Sequence, residues 1–190
     1  MLNYSKAEFE LKTDAIVDKI LQGSIFIHPT DTIYGLGCDA TNSESVKKIR
    51  EMKARYTRPF SILAPDKTWI RENCEVDDKV IEWIKKLPGP YTLILKLKDK
   101  NAIAKEVNNG LDTIGVRIID HWFQKGCELL GKPIVTTSAN VIGSDFMTSI
   151  ENLDSDIKSK TDFIIYEGEK LGRPSTIVDL TKESENIKKR

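Results

Sequence analysis

Apolar positions along this chain follow two rhythms, one of three to four residues and one of two. Leu11, Ala15, Ile16 and Ile20 recur on one helical face and stop before Gly23, which predicts an opening amphipathic helix capped by that glycine. SIFIH, residues 24–28, reads as a buried strand. Asn42 or Ser43 is placed to cap a second helix carrying Val46, Ile49 and Met52 on one face, and this helix runs into the basic KARYTR of residues 53–58. FSILA, residues 60–64, is a further strand. Asp77 is the predicted cap of a third helix through Val80, Ile81, Ile84 and Leu87, halted by PGP because proline fixes φ and removes a donor. YTLILKLK, residues 91–98, and TIGVRI, residues 113–118, are strands rich in β-branched residues. Asp120 is placed to cap a helix ending at Gly131, PIVTTS returns as a strand, and DFIIYE and STIVDL supply two more. Helices and strands interleave without strict βαβ alternation, which predicts a mixed sheet in an α/β fold.

Length bounds this picture: 190 residues suit one core, so the expectation is a single domain over 1–190 with its core in 11–180. The tail TKESENIKKR, 181–190, is charged and expected to be partly mobile. With 39% hydrophobic and 31% charged residues the composition excludes a disordered or fibrous chain. Formal net charge is zero, so an anionic partner has to be met by a local patch. One is visible between Glu44 and Arg71, where Lys47, Lys48, Arg50, Lys53, Arg55, Arg58, Lys67 and Arg71 stand against Glu44, Glu51 and Asp66. Cys38, Cys74 and Cys127 are odd in number and far apart, which argues for a reducing compartment. With His28 and His121 as the only histidines, no protein-only metal site is expected. The first residues lack the apolar run of a signal peptide, and no stretch is long enough to span a bilayer, so a cytoplasmic location away from membrane is the expectation.

Four segments carry candidate chemistry. HPTDTIYGLGCDA, residues 28–40, sets hydroxyls and a glycine turn directly after a strand, which suits a small polar ligand; the plainer reading is a connector with Asp31 in an Asx-turn. It matches neither a Walker loop nor GxGxxG. In KARYTR the cations either cap a helix C-terminus or clamp a phosphate, lysine as a point charge and arginine as a fork. Arg117 sits within an otherwise apolar or small strand, and arginine is seldom buried without a partner. That partner is a structural carboxylate or a substrate's carboxylate, and Thr113 on the same face at i−4 favours the latter. TTSAN, residues 136–140, places hydroxyls and an amide where a strand ends, as a ligand site or as a turn. Cys38 lacks the context of a nucleophile and reads as a buried thiol. Trp69, Trp83 and Trp122 read as core or surface aromatics.

In order across residues 29–180, PTDTIYGLG, KAR with Arg58 three residues on, PGPYTLILK, TIGVRI, TTSAN and PSTIVDL resemble the YrdC-like threonylcarbamoyl-AMP synthases in their short form. The resemblance implies a twisted mixed sheet flanked by helices, with a concave basic cavity. It implies a Lys-x-Arg and Ser-x-Asn tetrad of Lys53, Arg55, Ser138 and Asn140, with Arg58 and Thr113 joining these four on ATP. Thr32, Arg117, Thr136 and Ser175 would surround L-threonine. The implied reaction condenses L-threonine, bicarbonate and ATP, with Mg2+ on the phosphates, into threonylcarbamoyl-AMP and pyrophosphate. Downstream threonylcarbamoyl transferase proteins would then modify the adenosine beside the tRNA anticodon.

The sequence departs from the family where Val141, Ile142 and Gly143 replace the usual Ser-Gly after Ser-x-Asn. Longer members add a linker and second domain, and Arg190 is set against a terminal arginine of the short ones. Two other readings keep the fold: a non-catalytic RNA-binding module using the basic patch, with direct tRNA contact, and a paralogue lacking the two pairs and with little synthase activity. The intact Lys-x-Arg and Ser-x-Asn rank the synthase first.

Overall fold

A computed structural model describes residues 1–141, 143–182 and 184–189. The chain opens with a strand that the apolar rhythm did not reveal, β1 (Leu2–Tyr4), followed by α1 (Lys6–Leu11), closed at its N-terminus by a reciprocal Ser5–Glu8 capping box. The expected single opening helix is thus two. Lys12, at φ −114° and ψ 22°, leaves the helical region before α2 (Thr13–Leu21), so Leu11 is 83% exposed while Ile16 and Ile20 are buried. Gly23 follows α2 at φ +95°, a conformation that favours glycine.

β2 (Phe26–His28) and β3 (Gly35–Gly37) precede α3 (Ser43–Met52), which Asn42 caps by accepting from the Ser45 N–H. After β4 (Ser61–Leu63), Asp66 caps α4 (Lys67–Asn73), a short helix with one buried apolar residue and so no legible periodicity. Asp77 caps α5 (Asp78–Lys85) as expected. β5 (Tyr91–Lys96), a 3-10 turn at Lys100–Ala102, α6 (Lys105–Asn108) and β6 (Thr113–Arg117) follow. Asp120 does not cap α7 (Gln124–Leu130): its own backbone N–H donates to Asp31 Oδ2 at 3.2 Å, and α7 starts after Phe123 with no side-chain cap. β7 (Ile134–Ser138), α8 (Ser155–Lys160), β8 (Phe163–Ile165), β9 (Thr176–Asp179) and β10 (Asn186–Lys188) complete the described elements. The charged tail therefore supplies an edge strand, antiparallel to β9, with Trp83 Nε1 donating to Glu185 at 2.9 Å beside it.

The sheet is mixed, in the order β1-β8-β2-β3-β7-β4-β6-β5-β9-β10. Strand residues alternate between its faces. One face carries Ile27, Leu36, Ile62, Val116 and Val135 against Val46, Ile49 and Met52 of α3 and Val80 and Ile84 of α5. The other carries Phe26, Leu63, Ile134 and Phe163 against Phe9 of α1, Ile16 and Ile20 of α2, and Phe123 and Cys127 at α7. Each such fully buried side chain contributes roughly 1.5–3 kcal/mol, so both faces are firmly held. The second face changes character within single strands. β7 passes from Ile134 to Thr136 and Ser138, β4 from Leu63 to Ser61, and β6 has Gly115 opposite Ser61, which itself opposes Thr136. Where side chains shrink and gain hydroxyls the helical cover stops, and a cavity opens.

Candidate active site

Thr32, Arg117, Thr136, Ser138, Asn140, Ser175 and Arg55 all line that cavity, together with Thr30, Tyr34, Gly35, Phe60, Ser61, Thr92 and Thr137. The wall from PTDT is shaped by Thr30, not by an Asx-turn. Thr30 Oγ1 accepts from the Thr32 N–H at 3.1 Å, donates to the Ile33 carbonyl at 2.7 Å and lies 3.0 Å from Thr32 Oγ1. Asp31 is left to pair with Arg117, Nη2 to Oδ1 at 2.5 Å, both side chains being under a tenth exposed. Both partners weighed for Arg117 thus stay in view: a carboxylate of the chain itself, Asp31, holds one edge of the guanidinium. Its Nη1 reaches Thr32 Oγ1 at 3.3 Å, so one guanidinium joins the ion pair to the cavity wall.

A strap, residues 166–175, crosses this wall. Tyr34 donates to the Gly168 carbonyl at 2.7 Å and accepts from the Glu167 N–H at 3.1 Å. The Glu167 carboxylate receives Lys170 at 2.5 Å and Trp122 Nε1 at 2.6 Å, and lies 2.9 Å from His121 Nε2. Burial would raise its pKa, but these three donors outweigh burial and hold the carboxyl below its ordinary range. Burial also keeps His121 below the usual histidine value. Gly172 lies so close to Thr32 that a Cβ there would stand 2.1 Å from the Thr32 carbonyl oxygen. Ser175 ends the strap, sharing a 2.7 Å hydrogen bond with Thr92.

The tetrad meets at the end of β7. Lys53 closes α3 and Ala54 follows at φ 50°, reversing the chain. Lys53 is 2% exposed; its ammonium donates to the carbonyls of Ser138 at 2.5 Å and Asn140, and reaches Asn140 Oδ1 at 3.3 Å. Ser138 Oγ donates to Asn140 Oδ1 at 2.5 Å. Burial, and then the charge of Arg55, pulls Lys53 down to about 7. Arg55 donates to Thr137 Oγ1 at 3.3 Å and to the Pro59 carbonyl at 2.8 Å, with its guanidinium 5.3 Å from the Phe60 ring centre. Arg58 is exposed and does not line the cavity. Nor does Thr113, which shares the Arg117 face but stands four residues, roughly 13 Å, along the strand. Ile142 and Arg190 lie outside the described residues.

Among the described residues, two arginines and no carboxylate line the cavity, and its polar surface is otherwise hydroxyl and amide. Sequence reasoning missed Ser61 and Thr92, for which a signal existed. Once β4, β5 and β6 are set beside β7, their parity puts Ser61 and Thr92 on the face of Thr136. Phe60 had none, because an aromatic at a strand start reads as core. Cys38 is fully buried and its thiol is pushed up by burial, which agrees with an inert thiol. Among the described residues no group of three His, Cys, Asp or Glu could hold a metal ion.

Residues 18–190 match the Sua5/YciO/YrdC family model, whose description reads "Telomere recombination". A provisionally named threonylcarbamoyl-AMP synthase of Methanocaldococcus jannaschii is 38% identical over 167 residues, 85% of this chain and 77% of the relative. The threonylcarbamoyl-AMP synthase of Vibrio parahaemolyticus is 30% identical over 174 residues, 87% of this chain and 92% of that one. Among solved structures, P. abyssi Sua5 complexed with L-threonine is 30% identical and superposes with a TM-score of 0.86. That match covers 98% of this chain but 56% of the Sua5 chain, so this chain spans a little over half of that relative. E. coli YciO shares the fold at 24% identity and a TM-score of 0.83, over 98% of this chain and 91% of its own. The chain belongs to the Sua5/YciO/YrdC family.

Proposed function

We propose that this protein is an L-threonylcarbamoyladenylate synthase, condensing L-threonine, bicarbonate and ATP into threonylcarbamoyl-AMP with release of pyrophosphate. One observation carries the reading: Thr32, Arg55, Arg117, Thr136, Ser138, Asn140 and Ser175, drawn from five separated segments, converge on one cavity that, among the described residues, no carboxylate lines. The names of the M. jannaschii and V. parahaemolyticus relatives, and the L-threonine in the P. abyssi complex, support it.

The chemistry asks for what these residues offer. Carboxylated threonine brings an anionic carbamate against the α-phosphate, and two anions approach only where fixed cations offset their repulsion. Arg55 supplies such a cation at the wall, with Arg58 over the rim where a nucleotide extends beyond the cavity. Lys53 acts one step back, its ammonium holding the Ser138 and Asn140 carbonyls so that the Ser-x-Asn side chains keep one geometry. Arg117 meets the threonine carboxylate with the edge that now faces the Thr32 hydroxyl, while Asp31 fixes its other edge. Thr32, Thr136 and Ser175 read the amino acid's hydroxyl and amine. Thr113 stands on the outer, nucleotide side. Collecting three reactants in register lowers the barrier by positioning, and no protein nucleophile is needed. Magnesium would enter with the ATP phosphates, whose oxygens are the hard ligands it prefers.

The product is a mixed anhydride, which a downstream transferase would consume in modifying the adenosine beside the tRNA anticodon. We place the reaction in the cytoplasm, in keeping with three free, buried cysteines; among the described residues no helix is long and apolar enough to cross a membrane. The RNA-binding alternative loses ground because Arg50 and Lys53, two cations of the basic patch, are buried. Pyrophosphate release should require ATP, bicarbonate, magnesium and L-threonine together. Release that continues unchanged without threonine would remove the assignment.

A further inference from the structure

Arg50 belongs to none of the motifs above, yet its side chain donates four hydrogen bonds to main-chain carbonyls. It is 6% exposed, and among the described residues it makes no ion pair. A buried guanidinium ordinarily finds a carboxylate; this one has its donors satisfied by main-chain carbonyls, with the Glu106 charge acting on it without a direct contact. Its Nε donates to the Glu106 carbonyl at 2.6 Å and its Nη2 to the Val107 carbonyl at 3.1 Å, anchoring it to α6. Its Nη1 donates to the carbonyls of Arg55 at 2.7 Å and Arg58 at 3.2 Å, the two ends of the cationic loop. The Arg55 N–H returns a bond to the Arg50 carbonyl at 3.0 Å. The ring of Phe60, a cavity wall, lies 4.5 Å from the Arg50 guanidinium and 5.3 Å from that of Arg55. One planar, five-donor group thus fixes the loop between Arg55 and Arg58 relative to α6 and to the cavity. Lysine, a point charge with no fork, could not make these directed bonds together.

We propose that Arg50 is a positioning residue for the nucleotide: it acts through the Arg55 and Arg58 carbonyls to aim the cationic loop at ATP, and takes no part in holding threonine. The effect is selective because, among the described residues, Arg50 takes no part in the Arg117–Asp31 ion pair or in the Thr30–Thr32 and Thr92–Ser175 hydrogen bonds. The inference rests on the synthase reading for the identity of the two ligands.

The test measures ATP and L-threonine dissociation constants by calorimetry on wild type, Arg50→Lys and Arg50→Met, with thermal unfolding as the check on folding. The expected result is ATP affinity weakened tenfold or more in both variants, with threonine affinity within about twofold of wild type. ATP affinity within twofold of wild type in a folded variant would overturn the proposal. So would equal weakening for both ligands, which is general loosening, or failure of both variants to fold, which makes Arg50 a framework residue. A wild type that binds neither ligand would instead remove the functional reading.

Discussion

His28 lies between Phe26 and Phe123, with its ring stacked 5.0 Å from the latter, and burial holds it down to about 3. In the unfolded chain it returns to about 6.5. Between those values the unfolded chain binds a proton that the native state refuses, so stability falls as pH drops from about 6.5 toward 3 and is untouched above. The slope from this group is about 1.4 kcal/mol per pH unit. Denaturant titrations at several pH values should therefore show a shallower acid slope for His28→Gln than for wild type; parallel slopes would exonerate His28. The burial of His28 was legible, since SIFIH reads as a buried strand and His28 ends it. That of Arg50 was not, because it stands in a helix so cationic that it reads as a solvent face. The Lys-x-Arg spacing was legible, but not that the lysine turns inward to main-chain carbonyls while the arginine faces the cavity. Nor was the Arg117 partner, because Asp31 is 86 residues away and only the strand register brings them together.

At the scale of elements, the strands of the site were legible because they alternate. TIGVRI and PIVTTS announce a face that loses its bulk partway along. Caps with a clear following helix, Asn42 and Asp77, were legible too, whereas β1 and α4 are too short to express a period and the break at Lys12 has no proline or glycine to mark it. The strap is an irregular segment, and its sequence shows only the glycines. Gly172 is required by proximity: a side chain there would meet the Thr32 carbonyl well inside contact distance. Gly172→Ala should lift the strap or push Thr32, raising the KM for threonine about tenfold while the KM for ATP changes less. Steady-state kinetics with each substrate varied decide this, and an unchanged threonine KM would show that the strap yields freely.

Across the whole molecule, the two apolar clusters lie on opposite faces of one sheet, so neither can be lost without uncovering the strands that the other holds. Thermal unfolding followed by tryptophan fluorescence and by circular dichroism should give one coincident transition; separated midpoints would divide the chain into two units. The mixed topology followed from the irregular order of helices and strands in the sequence, but the strand order did not, because β8 and β9 take places beside strands made much earlier. That placement has a consequence in time. Thr32 and Ser175 face the same cavity although 143 residues separate them, and the ribosome needs on the order of ten seconds to add that many. During synthesis the nascent protein therefore owns the cations of KARYTR long before the strap exists to complete the pocket. A half-made chain has no enclosed place to activate an amino acid.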